Sequence, residues 1–529
     1  MPPISRWLKM TPVHDGFVPL LCLALAGCQS GEEGRNGSTS APADRQQLIV
    51  AAGEDEFGLR LNQQRLGIYP LNAGICEPLL RLTHDFQIAP GLATSWRFLG
   101  GNTYRFTLRR GVKFHDGQSF NANAIKYSLD IGIRFKTQYS FLDSASVRAV
   151  DDSTVDITPS IPNLRVLEQL AHPTNSIVAP GSDPAKHPVC TGPFRFVEYA
   201  PRNRLTVARN ASYWGEKARL ETLTFRFMAD DNTRALALRS GEVDAIFDVN
   251  RSMVSGLAST AGLTIAASSP GAVILMHIAT RGTPPFTRMA DPVMRRVAAM
   301  SIDRKALVER ILEGHATVVS TVNPPKVLGR HASLIHGIPY NPAEARRILD
   351  SAGWHAPKGG IRSRRGERLS LVMITQPGSV DRAVAQYVQA QLTAVGIEVK
   401  LEEFDPGAFE SRLNAGTWDI DIEVPNQNDA NPAFLLALRW YSRSNVRSAR
   451  FMTAGPRFDS LVSAALASAD HDQTQLAAAE AMHALVDDAV AAIPLAAISR
   501  IYAMKSRVQG FDPHPSRVNQ SWNTVWLSR

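Results

Sequence analysis

Residues 381–401 read DRAVAQYVQAQLTAVGIEVKL, in which a helix-forming run reaches Gly396 and a strand pattern follows at once. The same order of helix, glycine and strand recurs at 408–424 around Gly416 and at 232–247 around Gly241. A glycine suits the end of each helix because it adopts the left-handed backbone conformation there at little cost. Repeated units of this kind predict an α/β protein whose lobes are built on largely parallel sheets.

Shorter patterns add local elements to this scheme. Tyr104, Phe106 and Leu108 alternate as in a strand, and a helix carrying Ile125 and Leu129 on one face is predicted after Asn121 or Asn123. A hairpin is predicted further along, with strands at 194–199 and 205–208.

Length and composition limit the class of protein. A chain of 529 residues is too long for one core, so two or three lobes are expected. Hydrophobic residues at 44% and charged residues at 20% exclude a mainly disordered, collagen-like or coiled-coil protein. Four cysteines in such a length exclude a disulfide scaffold. The net charge of +8 is scattered along the chain and does not favour nucleic-acid binding.

The N-terminus predicts export. Arg6 and Lys9 precede the apolar run 17–27 (FVPLLCLALAG), which is too short to span a bilayer permanently. Leu25-Ala26-Gly27-Cys28 resembles a bacterial lipobox, which implies cleavage after residue 27 and a diacylglycerol on the Cys28 sulfur. An ordinary secretory signal with a chance cysteine is the alternative. Residues 28–44 are rich in Gly, Ser and other small polar residues, and they predict a flexible tether.

Two cysteines remain beyond the lipidated one. Cys22 leaves with the signal, so Cys76 and Cys190 are the pair left in the mature chain. Outside the cytoplasm an even pair is a candidate disulfide. Two buried free thiols are the alternative.

Several stretches, in order, resemble the extracytoplasmic solute-binding proteins of peptide- and nickel-type ABC importers, the bacterial solute-binding protein family 5. They cover essentially the whole mature chain and include residues 104–130, 191–215, 238–245, 291–314, 340–354, 384–435 and 493–512. Representative among them are TGPFRFVEYAPRNRLTVARNASYWG at 191–215 and YNPAEARRILDSAGW at 340–354.

The resemblance implies a two-lobed, hinged, periplasmic-binding-protein-like α/β fold with a subdomain inserted in the first lobe. By position, the first lobe is expected at 45–84, 188–272 and 497–529, the inserted subdomain at 85–187 and the second lobe at 273–496. Such a protein closes over its ligand by hinge motion and delivers it to an ABC permease. The expected protein is a monomer at the outer face of the cytoplasmic membrane or in the periplasm, without enzymatic activity, cofactor or nucleic-acid partner.

The ligand site is predicted by the same resemblance. In peptide-binding members an Asp pairs with the α-ammonium of the peptide, four residues before a Pro that matches Pro432. Asn428 holds that position here, and an Asn lacks the charge that favours an ammonium. Asp429 can take over if the loop shifts by one residue, and Asn426 and Asn431 flank the pair. Since Asn, Asp and Pro also form turns, a purely structural loop is the alternative.

Aromatic residues extend the predicted cleft. Tyr69 matches a cleft-facing position of the first lobe, Tyr139 lies in the inserted subdomain, and Trp440 follows a helix. Such side chains suit a peptide because they contact it with little loss of entropy. Each has a core or rim position as its alternative, and packing is favoured for Trp418.

Nickel-chelate binding is the alternative function. The nickel-type members hold a small carboxylate chelator with arginines, an aromatic residue and a His. The matching positions here are Lys136, Tyr139, about Thr174 and Ser444, so the arginines and the His are absent. Lys136 can still pair with a carboxylate. No HxxxH or HxH pair indicates a direct metal site, so no metal ligand is assigned.

Two further classes remain as lesser alternatives. An exported hydrolase is not favoured because the sequence has no HExxH, GxSxG, GxxxxGK[ST] or CxxC motif. A family member recruited as a sensor, without a permease of its own, is the other.

Overall fold

The computed structural model describes residues 43, 45–53, 73–134, 146–159, 166–172, 175–184, 186–357, 360–376, 379–425, 430–444, 446–468 and 470–529. Twenty-three strands lie in these ranges: β1 (Gln47–Ala52), β2 (Leu80–Leu82), β3 (Ile88–Pro90), β4 (Ala93–Gly100), β5 (Thr103–Leu108), β6 (Val147–Asp151), β7 (Thr154–Ile157), β8 (Phe194–Ala200), β9 (Arg204–Arg209), β10 (Thr222–Phe227), β11 (Ala245–Ile246), β12 (Leu263–Ala267), β13 (Ala272–Ile278), β14 (Ala316–Thr317), β15 (Ser363–Arg364), β16 (Glu367–Arg368), β17 (Ser370–Thr375), β18 (Glu398–Glu403), β19 (Ile420–Glu423), β20 (Ala492–Ile498), β21 (Ile501–Lys505), β22 (Val508–Gln509) and β23 (Trp526–Leu527).

Thirteen α-helices lie in the same ranges: α1 (Ala122–Arg134), α2 (Val166–Ala171), α3 (Asp231–Ser240), α4 (Val254–Ala258), α5 (Pro292–Met300), α6 (Arg304–Ala306), α7 (Pro325–Leu328), α8 (Pro342–Ser351), α9 (Ser379–Ala394), α10 (Pro406–Ala415), α11 (Ala433–Arg439), α12 (Pro456–Ala467) and α13 (His471–His483). Short 3-10 or π turns occupy Arg251–Met253, Arg288–Ala290, Leu307–Ile311, Gly329–Leu334, Arg447–Phe451 and Ala484–Asp488. Among the described residues, no helix combines the length and apolar character needed to cross a bilayer.

The predicted helix–glycine–strand units are confirmed. Gly241, Gly396 and Gly416 follow α3, α9 and α10 with φ values of 83°, 93° and 66°, the left-handed region in which glycine ends a helix at little cost. At the other end of a helix, the Asn341 side chain accepts a hydrogen bond from the Glu344 N–H and begins α8 with Pro342 at its first position. The predicted strand at 104–108, the helix after Asn121 and the hairpin of β8 and β9 are also present.

Three sheets organise these elements. A seven-stranded sheet has the order β12-β21-β11-β1-β10-β9-β8, and a six-stranded sheet has the order β14-β20-β13-β19-β17-β18. A four-stranded antiparallel sheet, β4-β5-β7-β6, is built from a segment between β1 and β8 in the chain. Residues Pro42–Arg529 form one compact unit.

The prediction of largely parallel sheets was wrong. In the seven-stranded sheet only β1 pairs in parallel, with β10 and β11, and in the six-stranded sheet only β17 does, with β18 and β19. The other pairs are antiparallel because β8, β9 and β10 follow one another as a meander, and because β13, β20 and β21 run opposite to their neighbours. Both sheets are therefore mixed, with the parallel pairs at the centre of the seven-stranded sheet and at the β18 end of the six-stranded sheet.

The cores lie on the faces of these sheets. Every residue of β13 (AVILMHI) is buried, because helices cover both sides of the six-stranded sheet. Even-numbered β13 residues such as Ile274 and Met276 pack toward α5, α8 and α9, and odd-numbered ones such as Leu275 pack toward α10–α13. The inserted four-stranded sheet has its own core around Phe106 and α1. Burial of this apolar surface is the main force that holds each layer together.

Candidate functional site

Two short crossovers join the seven-stranded sheet to the six-stranded sheet. Residues 268–271 lead from β12 to β13, and residues 499 and 500 lead from β20 to β21. The crossovers are bonded to each other: the Ser268 N–H donates to the Arg500 carbonyl at 3.0 Å, and the Arg500 N–H donates to Ser268 Oγ at 3.1 Å. The two connections therefore run side by side, where a hinge between the sheets would lie.

The strand directions place one edge of each sheet at this crossover pair. β12 ends and β21 begins there on one side, and β20 ends and β13 begins there on the other. The registers put the carboxyl ends of β1, β10 and β11 along the first edge, and those of β17 and β19 along the second. In open α/β sheets, ligands bind outside the carboxyl ends of the strands. These two edges are the candidate site.

The edge of the seven-stranded sheet carries an acidic residue among arginines. Asp248, just after β11, has a φ of 58° and accepts hydrogen bonds from Arg500 Nη1 at 3.0 and 3.1 Å, while Arg517 Nε lies 3.7 Å away. Burial raises the pKa of Asp248, but the charges of Arg500 and Arg517 outweigh it and hold the pKa below its usual range. The carboxylate is therefore ionised and fixed at this edge.

A buried hydroxyl lies close to this pair. Tyr502 is 1% exposed, and its hydroxyl has no hydrogen-bond partner among the residues that the structure describes. Burial raises the pKa of this hydroxyl, and the nearby Asp248 carboxylate raises it further. Tyr502 is therefore neutral and can donate a hydrogen bond.

The six-stranded sheet carries a buried polar group that reaches the carboxyl end of β19 at Glu423. His277 on β13 and Asp421 on β19 are cross-strand partners, and His277 Nδ1 lies 2.8 Å from Asp421 Oδ1. Glu423, two residues further along β19, accepts a hydrogen bond from Arg439 Nη2 at 2.5 Å. Trp440 covers the group, with its ring centroid 5.2 Å from that of His277. Two acids, a base and an arginine thus lie beneath the point where β19 leaves the sheet.

Besides the two crossovers, a side-chain contact joins the β2–β3 hairpin to the segments around Val327 and Ala430. Phe86 is fully buried and packs with Leu82 against Val327 and Ala430. Beside it, Lys326 Nζ lies 2.6 Å from Asp85 Oδ1. An apolar contact and an adjacent ion pair therefore hold the hairpin against these segments.

Most of the predicted ligand residues lie outside the described residues. These are Tyr69, Lys136, Tyr139, Asn426, Asn428 and Asp429, together with Thr174 and the lipidation residue Cys28.

The predicted residues that are described occupy structural positions. Asn431 is 5% exposed, and its Oδ1 accepts a hydrogen bond from the Ala433 N–H at 2.8 Å at the start of α11. Trp440 is fully buried among core residues. It follows α11 directly and packs in the same apolar cluster as Ala433 and Leu436 of that helix. Ser444 Oγ donates to the Leu438 carbonyl at 2.8 Å. Trp418 is buried, which confirms the packing interpretation.

The two remaining cysteines are joined. Cys76 and Cys190 form a disulfide with their Cα atoms 4.9 Å apart, and both residues lie in the core of the seven-stranded sheet. Next to it, the Glu77 carboxylate accepts hydrogen bonds from Tyr213 Oη at 2.7 Å, Thr191 Oγ1 at 2.9 Å and Trp214 Nε1 at 3.0 Å. Burial raises the pKa of Glu77, and these hydrogen bonds partly oppose the rise. The disulfide and the carboxylate fix the segment before β2 to the segment before β8.

The sequence did not indicate the His277–Asp421–Glu423 group. The local signals are a single polar residue, His277, in the apolar run VILMHIA and three acidic residues that alternate with apolar ones in DIDIEV (419–424). Strand pairing brings these residues together, and pairing is not readable from either segment alone.

Comparison with known proteins places the chain in a family. A sequence profile described as "Bacterial extracellular solute-binding proteins, family 5 Middle" matches residues 87–446. The glutathione-binding protein GsiB of Salmonella choleraesuis (strain SC-B67) is 32% identical over 344 residues, which are 63% of this chain and 64% of that protein. This match thus spans just under two thirds of the length of that relative.

Two other similar proteins extend over more of the chain. The nickel-binding periplasmic protein of Escherichia coli (strain K12) is 25% identical over 453 residues, 82% of this chain and 85% of that protein. The structure of the periplasmic binding protein DppA from Helicobacter pylori, in complex with the peptide STSA, superimposes with a TM-score of 0.72. It is 24% identical and covers 91% of this chain and 98% of its own. The predicted two-lobed periplasmic-binding-protein fold is confirmed, and the chain belongs to the bacterial extracellular solute-binding proteins of family 5.

Proposed function

We propose that this protein captures a short peptide between the two sheet edges and delivers it to an ABC permease. One observation carries the proposal: the carboxyl-end edges of both large sheets meet at the bonded crossovers of Ser268 and Arg500. A ligand held there touches both sheets only when the edges approach each other. Its binding therefore shifts the population toward the closed form.

In this proposal each lobe is built around one of the two large sheets. The first lobe comprises 45–84, 188–272 and 497–529 around the seven-stranded sheet, and the second comprises 273–496 around the six-stranded sheet. The inserted subdomain is 85–187. Phe86 and Asp85 then contact Val327 and Lys326 across the cleft, so their contact favours the closed form in which the ligand is enclosed.

The charges at the edges support a peptide. A free peptide carries an ammonium and a carboxylate, and each edge presents both an acid and an arginine, Asp248 with Arg500 and Glu423 with Arg439. We assign the ammonium to the loop of Asn426, Asn428 and Asp429, with Tyr69, Lys136 and Tyr139 along the cleft. The glutathione-binding relative and the peptide complex of DppA add support, since glutathione is itself a short peptide.

A metal chelate is the second candidate. It is favoured by one observation, the similarity over 82% of the chain to a protein named as nickel-binding. Lys136 would then pair with a carboxylate of the chelator as a point charge. The peptide remains the first choice because the arginines and the His expected of a nickel-type site are absent from the matched positions.

We further propose that Cys28 carries a lipid that holds the protein at the outer face of the cytoplasmic membrane. Its Leu25-Ala26-Gly27-Cys28 setting and the polar tether 28–44 support this placement.

A thermal-shift screen of the purified chain tests the proposal. The ligands are di- to hexapeptides, glutathione, the same peptides N-acetylated, and nickel with and without free histidine. A ligand that binds only the folded state raises the unfolding midpoint by mass action. Stabilisation by free peptides but not by acetylated ones is the expected result. A shift only with nickel plus histidine would support the chelate, and no shift with any ligand would contradict both candidates.

A further inference from the structure

The group formed by His277, Asp421 and Glu423 has the arrangement of a small metal site. His277 lies on β13, and Asp421 and Glu423 lie on the antiparallel neighbour β19, with their side chains on the same face of the sheet. One ligand atom from each lies within 4.8 Å of the other two. The separations from His277 Nδ1 are 2.8 Å to Asp421 Oδ1 and 3.9 Å to Glu423 Oε2.

These separations suit a common metal ion. Ligand atoms about 2.0–2.2 Å from a tetrahedral metal lie roughly 3.4 Å from one another. The observed separations lie on both sides of that value, so small side-chain rotations bring all three atoms to one ion. The cross-strand register already fixes the three Cα positions.

The hydrogen bonding of the group is incomplete without a further partner. His277 is fully buried, yet among the described residues its Nε2 has no hydrogen-bond partner. Glu423 Oε2 likewise has none, although Arg439 satisfies the other oxygen of the same carboxylate. Trp440 Nε1, beside the ring of His277, is also without one. Buried polar atoms are normally paired, so three orphans in one group indicate a missing component.

A purely structural ion pair is the competing interpretation. A His277–Asp421 hydrogen bond alone accounts for two of the side chains. It leaves Glu423 Oε2 without a partner among the described residues, which is costly for a buried carboxylate oxygen. A cation shared by His277 Nδ1 and the two carboxylates gives the Glu423 oxygen a partner.

The donor set selects the class of metal. One imidazole nitrogen and two carboxylate oxygens suit zinc, cobalt and nickel, whereas calcium and magnesium prefer oxygen ligands alone. Arg439, bonded to the outer oxygen of Glu423, would orient that ligand from behind, as partners of metal ligands commonly do. Glu423 keeps 19% of its side chain exposed, the largest exposed fraction in the group.

We propose that His277, Asp421 and Glu423 bind one divalent first-row transition-metal ion. The site shares Glu423 with the proposed cleft edge, but it does not include Asp429 and needs no chelator, so binding of a free metal ion is tested separately from peptide binding. The ion would link β13 to β19 at the end of β19.

Titration of the full chain with Co²⁺ and Zn²⁺, followed by calorimetry and by the visible absorption of Co²⁺, tests this site. One equivalent per chain is expected, with the intense absorption typical of four-coordinate cobalt. His277→Gln is expected to weaken binding at least tenfold. The matched control is His331→Gln, since His331 Nε2 makes a 3.0 Å pair with Asp472 elsewhere and, among the described residues, belongs to no three-residue group of this kind.

Two results would overturn the proposal. One is the absence of stoichiometric binding to the wild-type chain. The other is equal binding by His277→Gln and His331→Gln, which would assign the ion to scattered surface histidines. If His277→Gln does not fold, judged by circular dichroism, the partly exposed Glu423→Gln replaces it, and unchanged cobalt affinity in that variant contradicts the site.

Discussion

Phe86 and Val327 lie 241 positions apart in the chain, and their side chains pack together in one small apolar cluster. Phe86 is fully buried although it lies in a hairpin turn with a φ of 59°. A large side chain is rarely found in that backbone region. The surroundings of Phe86 therefore hold it in place, and the contact is a candidate determinant of lobe closure.

Phe86→Ala is expected to weaken ligand binding. Loss of the apolar contact with Val327 and Ala430 removes about 1–2 kcal/mol from the closed form, which corresponds to a five- to thirtyfold higher Kd. Calorimetric titration with the ligand found in the thermal-shift screen measures this. Phe98→Ala is the control, since Phe98 is 48% exposed. Equal affinities of the two variants would contradict a role in closure.

Stability near neutral pH is expected to depend on Asp419. Burial raises the pKa of Asp419 to about 6, against the opposing effects of the Val372 N–H and Arg288. The protonated form is thus favoured in the folded state. The contribution of Asp419 to stability is complete at pH values below its ordinary pKa of 3.8, and it is lost as the pH rises through about 6.

Asp419→Asn removes this titration. The free energy of unfolding in urea, measured at pH 3.5 and pH 7.5, gives the comparison. The difference in unfolding free energy between wild type and variant is expected to change by about 3 kcal/mol over that range, because only the wild type is destabilised as the pH rises. A difference that stays constant with pH would contradict the raised pKa.

The disulfide is expected to contribute strongly to stability. Cys76 and Cys190 are 114 residues apart, so their bond removes much of the freedom of the unfolded chain. Replacing both with Ala is expected to lower the free energy of unfolding by about 3–5 kcal/mol, measured in urea. A reducing agent should destabilise the wild type and leave the double variant unchanged. Equal stability of the two proteins would show that the bond matters little.

Asp429→Asn is expected to weaken the binding of free peptides. If its carboxylate pairs with the α-ammonium, loss of the charge costs about 1–3 kcal/mol. Calorimetry with a free peptide and its N-acetylated form separates this effect from a general change of the loop. Only the free peptide should lose affinity, and an unchanged Kd would remove Asp429 from the site.

Cys28→Ala is expected to release the protein from the membrane fraction. Without the thiol no lipid can be attached at this position. Fractionation of cells that express either form, followed by immunoblotting, measures the change. Persistent membrane association of the variant would rule out the lipid anchor.

Sequence patterns predicted the elements whose causes are local. Gly396 ends a helix through its own backbone freedom, and Asn341 begins one by accepting a nearby N–H, so neither depends on distant residues. The family resemblance supplied the two-lobed fold, because the order of many such segments is more specific than any one of them.

Properties that depend on pairing between distant strands could not be predicted. The direction of β13 against β19 is set by tertiary packing, and it decides both the mixed sheets and the meeting of His277 with Asp421. Trp440 is a similar case, since an isolated Trp after a helix is compatible with a core or a cleft. Its core position follows from the packing of α11 and the neighbouring helices against the sheet, which the local sequence does not reveal.

The two bonded crossovers constrain how the molecule can move. Residues 268–271 and 499–500 are too few to let the sheets move far apart, so we expect the proposed closure to be mainly a rotation about the crossover pair of Ser268 and Arg500. Such a rotation would keep the two edges facing each other between the open and the closed form. Substitutions at either edge can therefore change which solute is bound without changing the closing rotation.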